Sequence, residues 1–234
     1  MTDDILDLKK HIRTVNDFPI EGIKFRDITS LIETPSAFKK TCDEFIKLSK
    51  AFKATSVASI ESRGFIFAGS ISKDLLLPFV LARKPGKLPN ETFIKDFDLE
   101  YGSTSIEIQK NTKLNSDDRV VIVDDLIATG GTALACADLI VDNFEVKKEN
   151  ILILAVIDLV ELGGTQKMCD QGYKTRSLVY YSNTFFYIDN YSMQFKYIPL
   201  LIFITISTQL INADSFPSEE WDVISPSEVG VDDS

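Results

Sequence analysis

VVIVDDLIATGGT, residues 120–132, is the stretch on which the reading of this chain turns. Val120–Val123 form a continuous apolar run that ends in Asp124 and Asp125, and small residues then lead into a helical stretch at Gly131. An uninterrupted apolar run of this kind reads as a strand buried on both faces of a parallel sheet. Ligands of such sheets bind beyond the carboxyl ends of the strands, which is where the two acids and the loop fall. Ala128, Thr129, Gly130, Gly131 and Thr132 let backbone N–H groups converge ahead of a helix N-terminus, an arrangement suited to a phosphate. The lysine of a G-x-x-x-x-G-K-[ST] loop is missing, so this is a different anion loop. Two carboxylates beside it repel an anion unless ribose hydroxyls or a divalent cation engage them. A plain strand–turn–helix joint is the alternative, but a loop that only turns needs neither two glycines nor two threonines.

The same rhythm extends to both sides. SVASI (56–60), PFVLA (78–82), ILILAVIDLV (151–160) and SLVYY (177–181) read as strands, and GFIFAGSISKDLL (64–76) and GTALACADLIVDNF (131–144) as helices. Thr34-Pro35 supplies an N-cap and first turn for a helix over 35–50, with Phe38, Cys42, Phe45 and Ser49 along one side. Ile5, Leu8, Ile12 and Val15 fall at helical spacing and predict a helix over 3–16. Strands alternating with helices predict an α/β fold, a parallel sheet flanked by helices in one main domain. RKPGKLPNETFIKDFDLEYGS (83–103) breaks the pattern and reads as a long excursion from the sheet; STSIEIQK (103–110) alternates and returns as an antiparallel strand.

Composition narrows the class. With 44% hydrophobic and 26% charged residues the chain has the make-up of a globular protein. The net charge of −10 argues against a nucleic-acid surface. Seven acids and no lysine or arginine lie in residues 214–234, so the first 213 residues carry only −3. Cys42, Cys136 and Cys169 are far apart, without metal-site or disulfide spacing, which points to free thiols in a reducing compartment. MTDDILDLKK has no basic segment followed by an apolar core, so no signal peptide is evident and a cytoplasmic location is expected. His11 is the single histidine, and no Ser/His/Asp arrangement supports hydrolase chemistry.

VVIVDDLIATGGT resembles the phosphoribosyl-pyrophosphate (PRPP) signature of the type I phosphoribosyltransferases. DFPIEGIKFRDIT (17–29), ESRGF (61–65), RKPGKLP (83–89), LEYGSTSIEIQK (99–110) and LVEL (159–162) are similar, in this order, to the adenine-using branch of that family. The likeness covers about residues 10–182. It implies a transferase unit over 1–182 whose first 34 residues or so form a base-binding hood, with a non-family extension at 183–213 and an acidic tail, expected to be disordered, at 214–234. The substrates implied are adenine and PRPP, the products AMP and pyrophosphate, the cofactor Mg²⁺ and the assembly a homodimer. Two other readings remain open here: a PRPP- or purine-sensing regulator on the same fold, and a transferase for xanthine or guanine.

The resemblance also distributes roles. Ala128, Thr129, Gly130, Gly131 and Thr132 would hold the 5′-phosphate, and Asp124 and Asp125 the ribose hydroxyls. Arg63, Arg83, Lys84, Lys87 and Tyr101 would grip the pyrophosphate, and Lys24, Phe25 and Arg26 the adenine, with Phe25 stacking and the backbone around it reading the base edge. Glu100 would be the acid/base group. Magnesium prefers substrate oxygens and water, so no direct protein ligand is expected. Members that use 6-oxopurines carry an aspartate at the position of Ala128 and a lysine at that of Gly131. Lacking that carboxylate, this chain points to adenine and to Glu100.

The likeness fails in places. Lys24 stands where an apolar residue is expected, and ELGGTQKM (161–168) lacks the arginine and glutamate of the family's Gly-Arg-Glu-Lys turn. Residues 197–213 (YIPLLIFITISTQLINA) are 17 uncharged residues, at the lower limit for a membrane span. A buried strand, a helix packed on a partner and an interfacial segment all fit them.

Overall fold

The computed structural model describes residues 7–18, 21–99 and 102–182. In chain order its strands and helices are β1 (Arg13–Asn16), β2 (Lys24–Asp27), α1 (Thr29–Ile32), α2 (Pro35–Ala51), β3 (Ser56–Ile60), α3 (Gly64–Leu75), β4 (Phe79–Ala82), β5 (Thr92–Leu99) and β6 (Gly102–Gln109). There follow β7 (Val120–Ile127), α4 (Gly131–Phe144), β8 (Ile151–Leu159), α5 (Gly164–Asp170) and β9 (Lys174–Tyr181). Five of the strands make one sheet in the order β4-β3-β7-β8-β9, every neighbouring pair parallel.

Successive side chains along a strand point to opposite faces, and both faces here are covered. Val120 and Ile122 of β7, with Ile151, Ile153 and Ala155 of β8, join a core that includes α4 and the β6 residues Ile106 and Ile108. Val121, Val123, Leu152, Leu154 and Val156 face the other way, into a core shared with α2 and α3. That is why β7 and β8 show no polar alternation. Phe45 of α2 and Phe67 of α3 are fully buried there, edge to face at 5.8 Å. Each such burial stabilises the fold by about 1.5–3 kcal/mol. α2 starts at Pro35, which as a first-turn residue forfeits no helical hydrogen bond.

Two expectations need correction. The helix predicted over 3–16 does not run through its second half: residues 9–11 form a 3-10 turn and residues 13–16 are β1, paired antiparallel with β2. Leu8 and Ile12 are buried as the spacing suggests, but Thr14 and Val15 are β-branched, and pairing with Phe25 and Arg26 outweighs the helical periodicity. The excursion at 83–103 is also more ordered than expected. Residues 92–99 form β5, which pairs along its whole length with β6 as a hairpin. Phe93 and Phe97 each lie two residues from Lys95, on the same face of the strand, and Phe93 packs edge to face on Phe144 of α4 at 5.5 Å. Lys95 Nζ reaches Asp142 of the same helix at 2.8 Å. The antiparallel return at 103–110 is present as β6. A backbone bridge, Arg83 to Glu107, ties the hairpin to the end of β4.

Among the described residues no helix is long and apolar enough to cross a membrane. The segments 183–213 and 214–234 lie outside the described residues.

Candidate active site

β4, β3 and β7 are neighbours, so their carboxyl ends open on one place. The register pairs Ile60 with Ala82, and the residues that follow, Glu61 and Arg83, emerge side by side. Arg83 Nε donates to Glu61 Oε2 at 2.5 Å and Arg83 Nη1 to the Lys87 carbonyl at 2.9 Å. After Glu61 the chain turns through Ser62 and Arg63 into α3, and the Glu61–Ser62 peptide is cis. Gly64 lets α3 start hard against β7. A methyl there would stand 2.6 Å from the Val123 carbonyl and 3.1 Å from the Asp124 Cα.

The next register pair, Ser59 with Val123, brings Asp124 and Asp125 to the same edge. Arg63 Nε lies 2.6 Å from Asp125 Oδ2. Asp125 is buried and a buried carboxylate needs a partner, which Arg63 supplies. Asp124 is half-buried and accepts from the Asp125 amide at 2.8 Å. Burial, and next the negative charge of Asp125, push the Asp124 carboxyl well above the usual aspartate range. The anion loop therefore does not face two bare negative charges. One is neutralised by Arg63 and the other is reluctant to ionise.

The loop leaves β7 at Ile127 and reaches α4 through Gly130, whose φ of 75° lies in the left-handed region that favours glycine. α4 is 14 residues long and no side chain caps its start, and the first N–H groups of a helix have no partner within it. These pieces enclose a cavity of about 340 Å³ lined by Glu61, Arg63, Arg83, Lys84, Asp124, Asp125 and residues 128–132. The hairpin contributes Phe97, Thr104 and Ser105 to the wall.

Most of the residues predicted for PRPP thus meet in one cavity: Arg63, Arg83, Lys84, Asp124, Asp125 and the loop from Ala128 to Thr132. Lys87 does not line it. Its side chain is exposed, and its backbone N donates to the buried Glu107 carboxylate at 3.1 Å. Burial raises the Glu107 pKa, but hydrogen bonds from Leu88 N, Thr92 Oγ1 and Lys87 N more than offset this and hold it below the usual range. Lys24, Phe25 and Arg26 are on β2, outside the cavity lining. Phe25 is nonetheless adjacent to the site through the Arg63 guanidinium, 5.8 Å from its ring centre, and Phe18 packs on its edge at 5.1 Å. The Arg26 side chain is committed elsewhere: it stacks on Tyr181 at 3.9 Å and donates to Thr14 Oγ1 at 2.5 Å. Glu100 and Tyr101 lie outside the described residues; in the sequence they stand three residues from Phe97 and Thr104, which line the cavity.

The sequence reading did not single out Glu61, Phe97, Thr104 or Ser105. Glu61 was visible inside ESRGF as a carboxylate one step past a strand, the place where ligand-side groups collect. Phe97 was hidden because residues 92–99 were read as loop, and Thr104 and Ser105, although on the strand expected at 103–110, were placed at the site only by its pairing with β5.

The family described as phosphoribosyl transferase domain matches residues 32–178. An adenine phosphoribosyltransferase of Pelagibacter ubique is 45% identical over 177 residues, covering 74% of this chain and 97% of that protein. One from Nitrosospira multiformis is 46% identical over 173 residues, with coverage of 74% and 97%. Among solved structures, the adenine phosphoribosyltransferase of Thermoanaerobacter pseudethanolicus superposes with a TM-score of 0.69 at 39% identity, over 76% of this chain and 99% of that one. The Giardia lamblia enzyme complexed with 9-deazaadenine gives 0.71 at 36% identity, over 76% and 98%. The chain belongs to the phosphoribosyltransferase family and, within it, to the adenine phosphoribosyltransferases.

Proposed function

We propose that this protein transfers the phosphoribosyl group of PRPP to adenine, giving AMP and pyrophosphate in purine salvage. The observation that carries the reading is the single cavity in which the phosphate loop, the acid pair and two arginines converge at the ends of three adjacent strands. The 5′-phosphate is assigned to residues 128–132 and the α4 N-terminus, and the ribose hydroxyls to Asp124 and Asp125. The pyrophosphate is assigned to Arg63, Arg83 and Lys84, helped by Lys87 and Tyr101. To take the pyrophosphate, Arg63 and Arg83 exchange the carboxylates of Asp125 and Glu61 for phosphate oxygens. The arginines are thereby held in place before substrate arrives.

A bond forms from a purine nitrogen to C1 of the ribose as the bond to pyrophosphate breaks, through a loose, oxocarbenium-like transition state. Glu100 exchanges the proton with the purine, and Phe25 packs on its ring with the β2 backbone at its edge. Mg²⁺ is the cofactor of this reading, because the ion prefers pyrophosphate and water oxygens. Asp124, Asp125 and Glu61 are the cavity carboxylates that would accept from its water shell. When bound, the ion neutralises charge on the departing pyrophosphate. A homodimer located in the cytoplasm is part of the same proposal, resting on the family.

Incubating the protein with PRPP, Mg²⁺ and radiolabelled adenine tests the reading. AMP and pyrophosphate formed in equal amounts support it, and PRPP binding without product would leave the sensing role instead.

A further inference from the structure

The turn Gly163-Gly164-Thr165 belongs to the ELGGTQKM stretch, which departs from the family pattern and receives no role in the reaction above. It lies against the phosphate loop. Gly164 N donates to the Ala128 carbonyl at 3.1 Å. A methyl on Gly164 would stand 2.2 Å from the Ala128 oxygen, 2.7 Å from Gly130 N and 2.9 Å from Ile127 Cγ2. A methyl on Gly130 would in turn stand 3.0 Å from the Gly164 oxygen. The two glycine turns are pressed backbone to backbone, with no room for a side chain between them.

The turn is itself held from below. Asp158 is the register partner of Ile127, the last residue of β7 before the loop. It is 2% exposed, and its Oδ2 accepts from Thr165 Oγ1 at 2.7 Å. Its other oxygen is buried without a partner among the described residues, so the bond to Thr165 is what engages this carboxylate. Burying a carboxylate is expensive, and here it ties the end of β8 to the first turn of α5.

We propose that Gly164 is a positioning residue for the 5′-phosphate: it fixes the Ala128–Gly130 backbone where its N–H groups converge, and Asp158 locks Gly164 in place through Thr165. The proposal rests on the reading of residues 128–132 as a phosphate site. Substrate is touched by the loop alone; Gly164, Thr165 and Asp158 act through it. Displacement of a positioning group by about 1 Å costs on the order of 100-fold in rate.

The test uses the full-length chain and calorimetric binding of AMP and of inorganic pyrophosphate, with kcat and KM measured alongside. G164A is expected to lower AMP affinity and kcat/KM for PRPP by about 100-fold. Pyrophosphate affinity and the KM for adenine stay within about twofold of wild type, because their groups lie elsewhere. T165V, which deletes one hydrogen bond, is expected to weaken AMP binding by about fivefold, and T165S to restore it. Wild-type AMP affinity in G164A overturns the proposal while leaving the phosphate reading intact. A wild-type protein that binds no AMP overturns both. If G164A does not fold, T165V and T165S decide: equal AMP affinity in both and in wild type overturns the proposal.

Discussion

Arg63 holds two positions in this account, and they can be separated by mutation. It neutralises Asp125 within the protein and it is assigned to the pyrophosphate of PRPP. R63A should therefore weaken PRPP binding by at least about tenfold and also destabilise the fold by about 1–3 kcal/mol, since a buried carboxylate loses its partner. Adding D125N removes the orphaned charge. The double variant should regain most of the lost stability in a denaturant titration without regaining PRPP affinity. If affinity returned with stability, Arg63 would be structural only. Glu100 is a simpler case: E100Q should lower kcat by about 100-fold or more while the Kd for PRPP holds, and unchanged kcat removes it from the mechanism. Asp124, Asp125 and the loop were legible in the sequence because strand, acids and glycine loop are contiguous. The pairs Glu61–Arg83 and Arg63–Asp125 were not, because each depends on the register between strands that are 22 and 62 residues apart in the chain.

At the scale of elements, the β1–β2 pair is pinned by Asp27. Its carboxylate accepts from Thr29 Oγ1 at 2.5 Å, Thr29 N at 2.9 Å and Arg13 Nη2 at 2.6 Å. The Thr29 hydroxyl, and next Arg13, hold its pKa at about 2, below the ordinary 3.8. A lowered acid pKa contributes stability that is present above the ordinary value and is lost as pH falls through the folded value. Wild type should thus exceed D27N in stability at pH 6, and the gap should close between about pH 4 and about pH 2. Thermal melts across that range check it; a gap that persisted at the acid end would mean that the Asp27 charge is not what pins β1 and β2. β1 illustrates where sequence periodicity stops. Helical spacing of Leu8 and Ile12 is real and both are buried, yet from the very next residue, Arg13, the chain is a strand because a partner strand lies beside it. β5 was missed for the opposite reason. The prolines and the glycine that precede it belong to residues 83–91, and those turn signals, with the charges Lys95, Asp96 and Asp98 inside the strand, masked the spacing of Phe93 and Phe97.

For the whole molecule, the five-stranded parallel sheet and its covering helices followed from continuous apolar runs alone, and the strand order from none of them. That order puts β4, β3 and β7 together and so makes a site from three separate motifs. The transferase unit assigned to 1–182 is a proposal with a direct consequence. Removing residues 214–234 takes away seven negative charges and should leave kcat and both KM values unchanged, whereas a loss of activity would tie the acidic tail to catalysis. The central claim is that this cavity, with Ala128 where a carboxylate would face a 6-oxopurine, uses adenine. Limiting PRPP offered to an equimolar mixture of adenine, hypoxanthine, guanine and xanthine tests it most directly. AMP should account for nearly all the nucleotide formed, and a predominance of any 6-oxopurine nucleotide would contradict the account.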